Sequence, residues 1–463
     1  MSQTEQFDAV VIGAGQAGGP LATALAGAGQ RVAIIERKHY GGTCVNIGCT
    51  PTKTMIASGR VAYLARRAAD YGVGTGDVSI DQAVVRRRKR DVVASFNSGS
   101  TSSVHGVEGL EAIDGQARFT DPKELVVTLE DGGERRIAGD RIFVNVGERP
   151  AIPPIDGMDD VPYLTSTTVM ELGETPRHLV VIGAGVIAME FSQLFRRLGA
   201  QVTVLVRGDR LLGREDDEIA DSLRDILAED GIDLRFETQA TRVSRTADGI
   251  ALELEGPDGP AGTLDASHLL VATGRTPNTN DLGLDAAGID VDKRGYIRVD
   301  ERLETNVSGV YALGDVKGGP AFTHISYDDF RIVRDNLLKG AGRTTTDRIV
   351  PYTMFTDPQL GRVGLTEQQA REQGHEVRVA TLPMSSVARA IETDETRGLM
   401  KAVVDAKTDR ILGAAILGID GGEVATVLQV AMMGGLPYTA LRDAAISHPT
   451  VSESLNNLFM TLD

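Results

Sequence analysis

Phe7-Asp8-Ala9-Val10-Val11-Ile12-Gly13-Ala14-Gly15-Gln16-Ala17-Gly18 opens this chain with an apolar run of buried-strand type and three glycines spaced Gly-x-Gly-x-x-Gly. The Ala/Leu-rich stretch Pro20–Ala28 that follows reads as a helix, and a second strand, Arg31–Ile35, ends at Glu36. Strand, glycine turn, helix, strand and acid in that order mark a dinucleotide site. Gly13 makes the tight turn, Gly15 lets a pyrophosphate approach the backbone, and Gly18 lets helix pack on strand. Glu36 can accept hydrogen bonds from ribose hydroxyls.

The unit returns at Leu179-Val180-Val181-Ile182, followed by Gly183-Ala184-Gly185-Val186-Ile187-Ala188, a helix through Leu198 and a strand, Gln201–Val206. Ala188 stands where the third glycine would be, a permitted variant. This second copy ends without an acid, in Arg207, with Arg210 and Arg214 beyond. An acid suits a free ribose hydroxyl, whereas arginine offers a fork that matches phosphate. The expectation is NADPH in preference to NADH.

Between the two copies lies Gly41-Gly42-Thr43-Cys44-Val45-Asn46-Ile47-Gly48-Cys49-Thr50-Pro51-Thr52-Lys53, which holds the only two cysteines of the chain. Two sulfurs that can meet and part store two electrons. In an undistorted helix residues five apart lie roughly 140° apart, so a bridge needs a distortion that Gly48 and Pro51 can accommodate. The pair alone reads equally as two buried, inert thiols. No second cysteine pair at metal-ligand spacing is present, so no metal site is expected. Lys53 could favour a thiolate or an electron-rich ring nearby. Glu190, inside the second helix on an otherwise apolar face, needs a cation, and Lys53 is the candidate.

At about 150 residues per domain, 463 residues allow roughly three domains. No apolar run reaches the roughly 20 residues of a membrane span. Met1–Asp8 carries no signal pattern, so the expected location is cytoplasmic, where a disulfide is more often catalytic than structural. The net charge of −17 argues against nucleic acid as a partner. The one basic cluster, Arg86–Arg90, is expected to be a solvated helix face. Arg149–Pro154 reads as a stiff linker, and Thr323–Leu338 as a helix whose positive end could face a cofactor. Val310–Leu313 reads as a strand leading into Gly314 and Asp315, an acid suited to polyol hydroxyls. Gly42, Thr43, Gly147, Gly274 and Arg275 complete the cofactor-binding candidates. In the C-terminal third, Ser447-His448-Pro449-Thr450-Val451-Ser452-Glu453 places a histidine near a carboxylate, which can orient the ring for proton transfer. Taken alone, such a histidine is more often structural.

Together these motifs resemble, in order and over the whole chain, the class I pyridine nucleotide–disulfide oxidoreductases: dihydrolipoamide dehydrogenase, glutathione reductase and mercuric reductase. Within them the chain looks closest to the mercuric-reductase-like branch that includes the reactive-chlorine-resistance flavoproteins, through Gly41–Lys53, Phe322–Leu338, Gly435–Arg442 and Ser447–Phe459. The resemblance implies an α/β fold: two Rossmann-like dinucleotide-binding domains, for FAD and NADPH, and a C-terminal α+β dimerisation domain. It divides the chain into a first part of the FAD domain at 1–150, an NAD(P)H domain at 151–275, a second part of the FAD domain at 276–343 and the dimerisation domain at 344–463. FAD would lie on Gly13, Gly15, Gly18 and Glu36, with Asp315 at its ribityl chain. Cys49 would be the sulfur beside the flavin, Cys44 the sulfur that meets substrate, and Lys53, paired with Glu190, would sit near flavin N5. His448, oriented by Glu453, would be the acid–base, contributed across a homodimer.

The departures are equally specific. Mercuric reductase proper carries a C-terminal cysteine pair, and this chain ends Asn456-Asn457-Leu458-Phe459-Met460-Thr461-Leu462-Asp463. Val186 stands where glutathione reductase has a tyrosine. The expected activity is electron transfer from NADPH through FAD and a Cys44–Cys49 disulfide to a thiophilic metal ion or a small disulfide. The alternatives are an NAD-linked enzyme of the dihydrolipoamide dehydrogenase type and a flavin-bound redox sensor with little turnover.

Overall fold

The structure is a computed structural model that describes residues 4–346 and 348–462. The chain forms two compact units. The first comprises Met1–Thr54, Val84–Ala151 and Arg275–Arg348; the second comprises Met55–Ala83, Ile152–Gly274 and Ile349–Asp463.

In the first unit four parallel strands lie side by side: Val32–Glu36, Glu5–Ile12, Glu134–Val144 and Val310–Ala312. Their register pairs Ile12 with both Ile35 and Val144, and Val144 with Ala312, so their carboxyl ends share one edge. Val32–Ile35 and Ala9–Ile12 are buried along their length, as parallel strands covered on both faces must be. An antiparallel meander through Leu110–Asp121 and Glu124–Leu129 closes the sheet. The helix Gly18–Gly27 buries Leu21 and Leu25 against Ile34 and Phe143. A Cβ on Gly18 would stand 2.0 Å from the Gly13 carbonyl oxygen, so helix and strand cross there only with glycine.

The basic cluster departs from expectation. It lies in the helix Gln82–Ser102 with Arg87, Arg88 and Arg90 exposed, but Lys89 is only 3% exposed. Lys89 shares a stripe with Val85, Val92 and Val93, at i−4, i+3 and i+4, so its stem is drawn under with them. Arg88 is engaged as well, donating to the Thr54 carbonyl at 2.7 Å. The run is in part a packing face. The linker expected at Arg149–Pro154 begins as a strand, Glu148–Pro150, paired antiparallel with Arg275–Pro277.

The second unit contains a parallel sheet in the order His268–Val271, His178–Ile182, Gln201–Leu205, Asp233–Arg235. The helix Val186–Arg197 lies after its glycine turn and buries Ala188, Phe191, Leu194 and Phe195. A three-stranded meander, Gln239–Arg245, Ile250–Gly256 and Gly259–Ala266, follows. The C-terminal part is a five-stranded antiparallel sheet in the order Pro351–Met354, Gln359–Gly364, Ile411–Gly418, Leu399–Asp405, Val377–Pro383. Helices Gly421–Met433 and Ser454–Met460 contribute Leu428, Leu455 and Phe459 to its core. Among the described residues no helix is long and apolar enough to cross a membrane.

Candidate active site

The helix Gly42–Ile47 stops at Gly48, whose φ of −130° and ψ of −112° break the spiral, and a new helix, Cys49–Arg66, starts at the next residue. Pro51 falls in the first turn of that helix, where a missing N–H costs nothing. The break brings the two sulfurs together: both cysteines are free thiols, and the Cys44 thiol hydrogen-bonds Cys49. Cys49 is exposed, occupies the first position of an 18-residue helix, and lies 3.4 Å from Thr323 Oγ1. Thr323 is itself the first residue of the helix Thr323–Lys339, so two helix N-termini direct their positive ends at one sulfur. The pKa of Cys44 is raised by its hydrogen bond to Cys49, by burial and by the negative charge Cys49 can carry; Thr323 and the Lys53 cation oppose the shift. The second proton of the pair is therefore hard to remove, and the resting dithiol is suited to holding one thiolate and one thiol.

Backbone and amide contacts hold this loop against the first nucleotide turn. Gly41 N donates to the Ala14 carbonyl at 2.9 Å, and Gln16 Nε2 donates to the Gly41 carbonyl at 3.1 Å. Gly42, with φ of +62°, approaches Gly15 so closely that a Cβ would stand 2.8 Å from its Cα. Asn46 Nδ2 donates to the carbonyls of Tyr40 and Gly42, both at 2.9 Å. Asn97 Nδ2, from the basic helix, donates to Asn46 Oδ1 and the Tyr40 carbonyl, again at 2.9 Å. Asn97 lies 51 positions from Asn46 and carries no local signal in the sequence.

At the shared carboxyl edge of the first sheet, Glu36 Oε2 accepts from Ala14 N at 2.8 Å, inside the Gly13–Gly15 turn. Its other oxygen accepts from Lys38 N and His39 N, so the carboxylate is fixed at the turn with lone pairs left for a ribose. Asn145 likewise carries no local signal: its Nδ2 donates to the Gly13 carbonyl at 3.2 Å, and its Oδ1 would stand 3.0 Å from a Cβ on Gly314. It fills the space between the two turns. Asp329, fully buried, holds the Gly314 turn by accepting from Gly314 N at 2.9 Å. Lys317 and Arg348 balance its charge at 3.3 and 2.7 Å. These bare turns, anchored acids and glycines packed without room for a side chain form a cradle that fits a dinucleotide such as FAD.

Asp315, beside this turn, is pushed up from its ordinary 3.8 to about 6, first by burial and then by the Glu148 charge. The folded state then binds more protons than the unfolded one between those values, so stability falls as pH rises through that window. Thermal melts of flavin-free protein should show wild type losing stability relative to Asp315→Asn between about pH 4 and 6, and running parallel to it above. Profiles parallel throughout would show that Asp315 ionises normally.

In the second unit, a Cβ on Gly183 would stand 2.4 Å from the Ala272 carbonyl oxygen, whereas Gly185 faces open space. Ala188 is fully buried under the helix. That turn also fits a dinucleotide. Arg207 and Arg214 are exposed and form no ion pair among the described residues. Arg210, between them, is paired to Asp217 and donates to the Glu215 carbonyl at 2.7 Å. Gly147 and Gly274 both have positive φ and face open space. Arg275 is committed to Glu148, with Nε 3.0 Å from its Oε2 and a second bond to its carbonyl at 2.8 Å. Glu190 is buried and accepts from Phe355 N at 2.8 Å. His448 Nδ1 lies 2.9 and 3.1 Å from the two Glu453 oxygens, which leaves Nε2 directed outward from a largely exposed ring. Among the described residues no group of three or more His, Cys, Asp and Glu side chains that could hold a metal ion is found.

Residues 7–329 match the family model described as pyridine nucleotide-disulphide oxidoreductase, and residues 350–459 match that family's dimerisation domain, which supports a homodimer. The chain is 41% identical over 458 residues to the probable pyridine nucleotide-disulfide oxidoreductase RclA of Escherichia coli, covering 98% of this chain and 99% of the relative. It is 36% identical to a mercuric reductase of Streptomyces lividans, covering 97% and 94% of the two chains. The Cu(II) complex of the HOCl-induced flavoprotein disulfide reductase RclA from Escherichia coli superposes with a TM-score of 0.91 at 40% identity, covering 99% of this chain and 100% of that one. The dithiol, the two glycine turns and these similarities agree: the chain belongs to the pyridine nucleotide-disulphide oxidoreductase family, whose flavoprotein members use FAD and a pyridine nucleotide.

Proposed function

We propose that this protein transfers electrons from NADPH, by way of FAD, to the Cys44–Cys49 pair and from there to a thiophilic metal ion or a small disulfide. The observation that carries this reading is the thiol pair itself, in contact across the Gly48 break with the exposed Cys49 at two helix N-termini. FAD and the nicotinamide supply the two-electron chemistry when bound. Cys49 is the sulfur on the cofactor side, and Cys44 exchanges with the acceptor. His448 moves the proton at Nε2, its Nδ1 being held by Glu453. Lys53, one turn beyond Cys49, contributes a cation that favours the thiolate, and the buried Glu190 is proposed as part of the same machinery. Gly183, Gly185, Ala188 and the exposed Arg207 would take NADPH, with Gly147 and Gly274 completing the cofactor contacts and Arg275, held by Glu148, bordering them. Residues 1–150 and 276–343 would form the FAD domain, 151–275 the NAD(P)H domain and 344–463 the dimerisation domain. The RclA structure in complex with Cu(II) favours the metal as acceptor. Each turnover would convert NADPH and two Cu(II) into NADP⁺, two Cu(I) and one proton. With a disulfide, NADPH and a proton would yield NADP⁺ and two thiols.

The test is anaerobic. Oxidised protein given one equivalent of NADPH per chain should gain two free thiols, which Cu(II) should then remove within the turnover time. If only a particular disulfide removes them, the acceptor is that disulfide. If no thiols are gained, the cysteine pair is not on the electron path.

A further inference from the structure

The second unit contains a buried ion cluster that the proposed chemistry does not use. Arg362, 3% exposed in the strand Gln359–Gly364, grips Glu215 through Nε at 3.0 Å and NH2 at 2.6 Å, and reaches Asp216 Oδ2 at 2.5 Å. Glu215 and Asp216 are themselves only 8% and 7% exposed. The Tyr352 hydroxyl donates to Glu215, and Lys401, 2% exposed, lies 3.4 Å from Asp216. Glu367 N donates to the other Asp216 oxygen at 3.0 Å. Ionised groups withdrawn this far from water persist only when paired, and a planar guanidinium across two adjacent carboxylates fixes direction as well as distance.

What the cluster holds is the loop after the second nucleotide strand. Residues 207–216 leave that strand at Arg207 and end in the two gripped acids. Midway, Leu212 N donates to the Ala184 carbonyl at 3.1 Å, inside the Gly183–Gly185 turn. Leu212 has a φ of +45°, a strained value for a γ-branched residue that persists only where surrounding contacts impose it. Arg210 bonds back to Glu215. The loop is thus fastened to the turn at one point and to the C-terminal sheet at another, with Arg207 and Arg214 exposed and without an ion pair among the described residues.

We infer that Arg362 is a positioning residue for cofactor selectivity: by gripping Glu215 and Asp216 it fixes the loop that presents Arg207 and Arg214 to the 2′-phosphate of NADPH. This rests on the NADPH reading above and adds to it a residue more than 140 positions away, in another sheet.

The test is equilibrium binding of 2′,5′-ADP and 5′-AMP, which differ only in the phosphate, to the purified holoenzyme. Wild type should bind 2′,5′-ADP more tightly. Arg362→Met combined with Glu215→Gln removes both charges of the main pair and should lower that ratio about tenfold, the worth of one charge-assisted contact. Arg362→Lys, which keeps the charge but loses the fork, should fall between. With Arg207→Ala and Arg214→Ala already present, the Arg362 substitutions should change the ratio no further, because the groups they position are gone. Wild-type preference for 2′,5′-ADP that survives in the double variant overturns the positioning role and leaves the NADPH reading standing. Absence of preference in wild type overturns that reading, and the inference with it. If the double variant does not fold, Arg362→Lys decides the matter by the same ratio.

Discussion

Cys44→Ser should lower NADPH-dependent reduction of the acceptor by on the order of 10³-fold or more, the usual scale for removing a reacting nucleophile. A single remaining sulfur cannot close to a disulfide, so the two-electron store is gone and exchange with the acceptor has no entry point. Cys44 is only half-buried, and serine keeps its shape and hydrogen-bonding capacity. The thermal midpoint and the bound flavin should therefore stay close to wild type, which separates lost chemistry from lost structure. Steady-state rates with Cu(II) and with disulfides, beside a melt and a flavin absorbance spectrum, measure both. Full retention of turnover would mean that electrons leave without the thiols, and would favour a sensor in which the pair only reports redox state.

Asp329→Ala should be the most destabilising single substitution proposed for the first unit, at about 3–5 kcal/mol, the cost of removing one partner from a buried ion pair. Asp329 is fully buried, and its loss takes from Lys317 its acid partner and leaves Arg348 only Asp328, at 2.9 Å. It also deprives Gly314 N of its acceptor, so the turn that carries Asp315 should loosen and flavin retention should fall with stability. Asp329→Asn, which keeps an acceptor for Gly314 N, should retain more flavin than alanine at comparable loss of charge. The denaturant midpoint and the flavin content after gel filtration check both expectations. An alanine variant within about 1 kcal/mol of wild type, roughly one ordinary hydrogen bond, would show that the turn is held by Asn145 and its other neighbours instead.

What could be read from the chain directly was whatever its chemistry expresses over short spans. The two glycine turns, the helix opening at Thr323, the helix break demanded by Cys44 and Cys49, and the nearness of His448 to Glu453 all follow from spacings of a few residues. Steric and hydrogen-bonding rules act locally there, and only one or two backbone paths satisfy them. The exposure of Arg207 is local as well, because it stands two residues past the strand Gln201–Leu205.

The fates of the charged side chains were decided elsewhere. The basic run Arg86–Arg90 reads as a solvated face, yet Lys89 is buried, on one stripe with the half-buried Val85, Val92 and Val93. Arg210 seemed available to a phosphate and is paired to Asp217; Arg275 is bound to Glu148. Asn97, Asn145, Asp329 and Arg362 gave no signal at all, because each acts on a segment far along the chain. The pairing of a buried charge depends on which strands and helices become neighbours, and that is a property of the closed sheets rather than of any stretch of residues. Sequence alone marked the two glycine turns and the pair of cysteines. Only the tertiary structure decided which polar groups are used up in holding those turns rigid and which, like Arg207, are exposed and form no ion pair among the described residues.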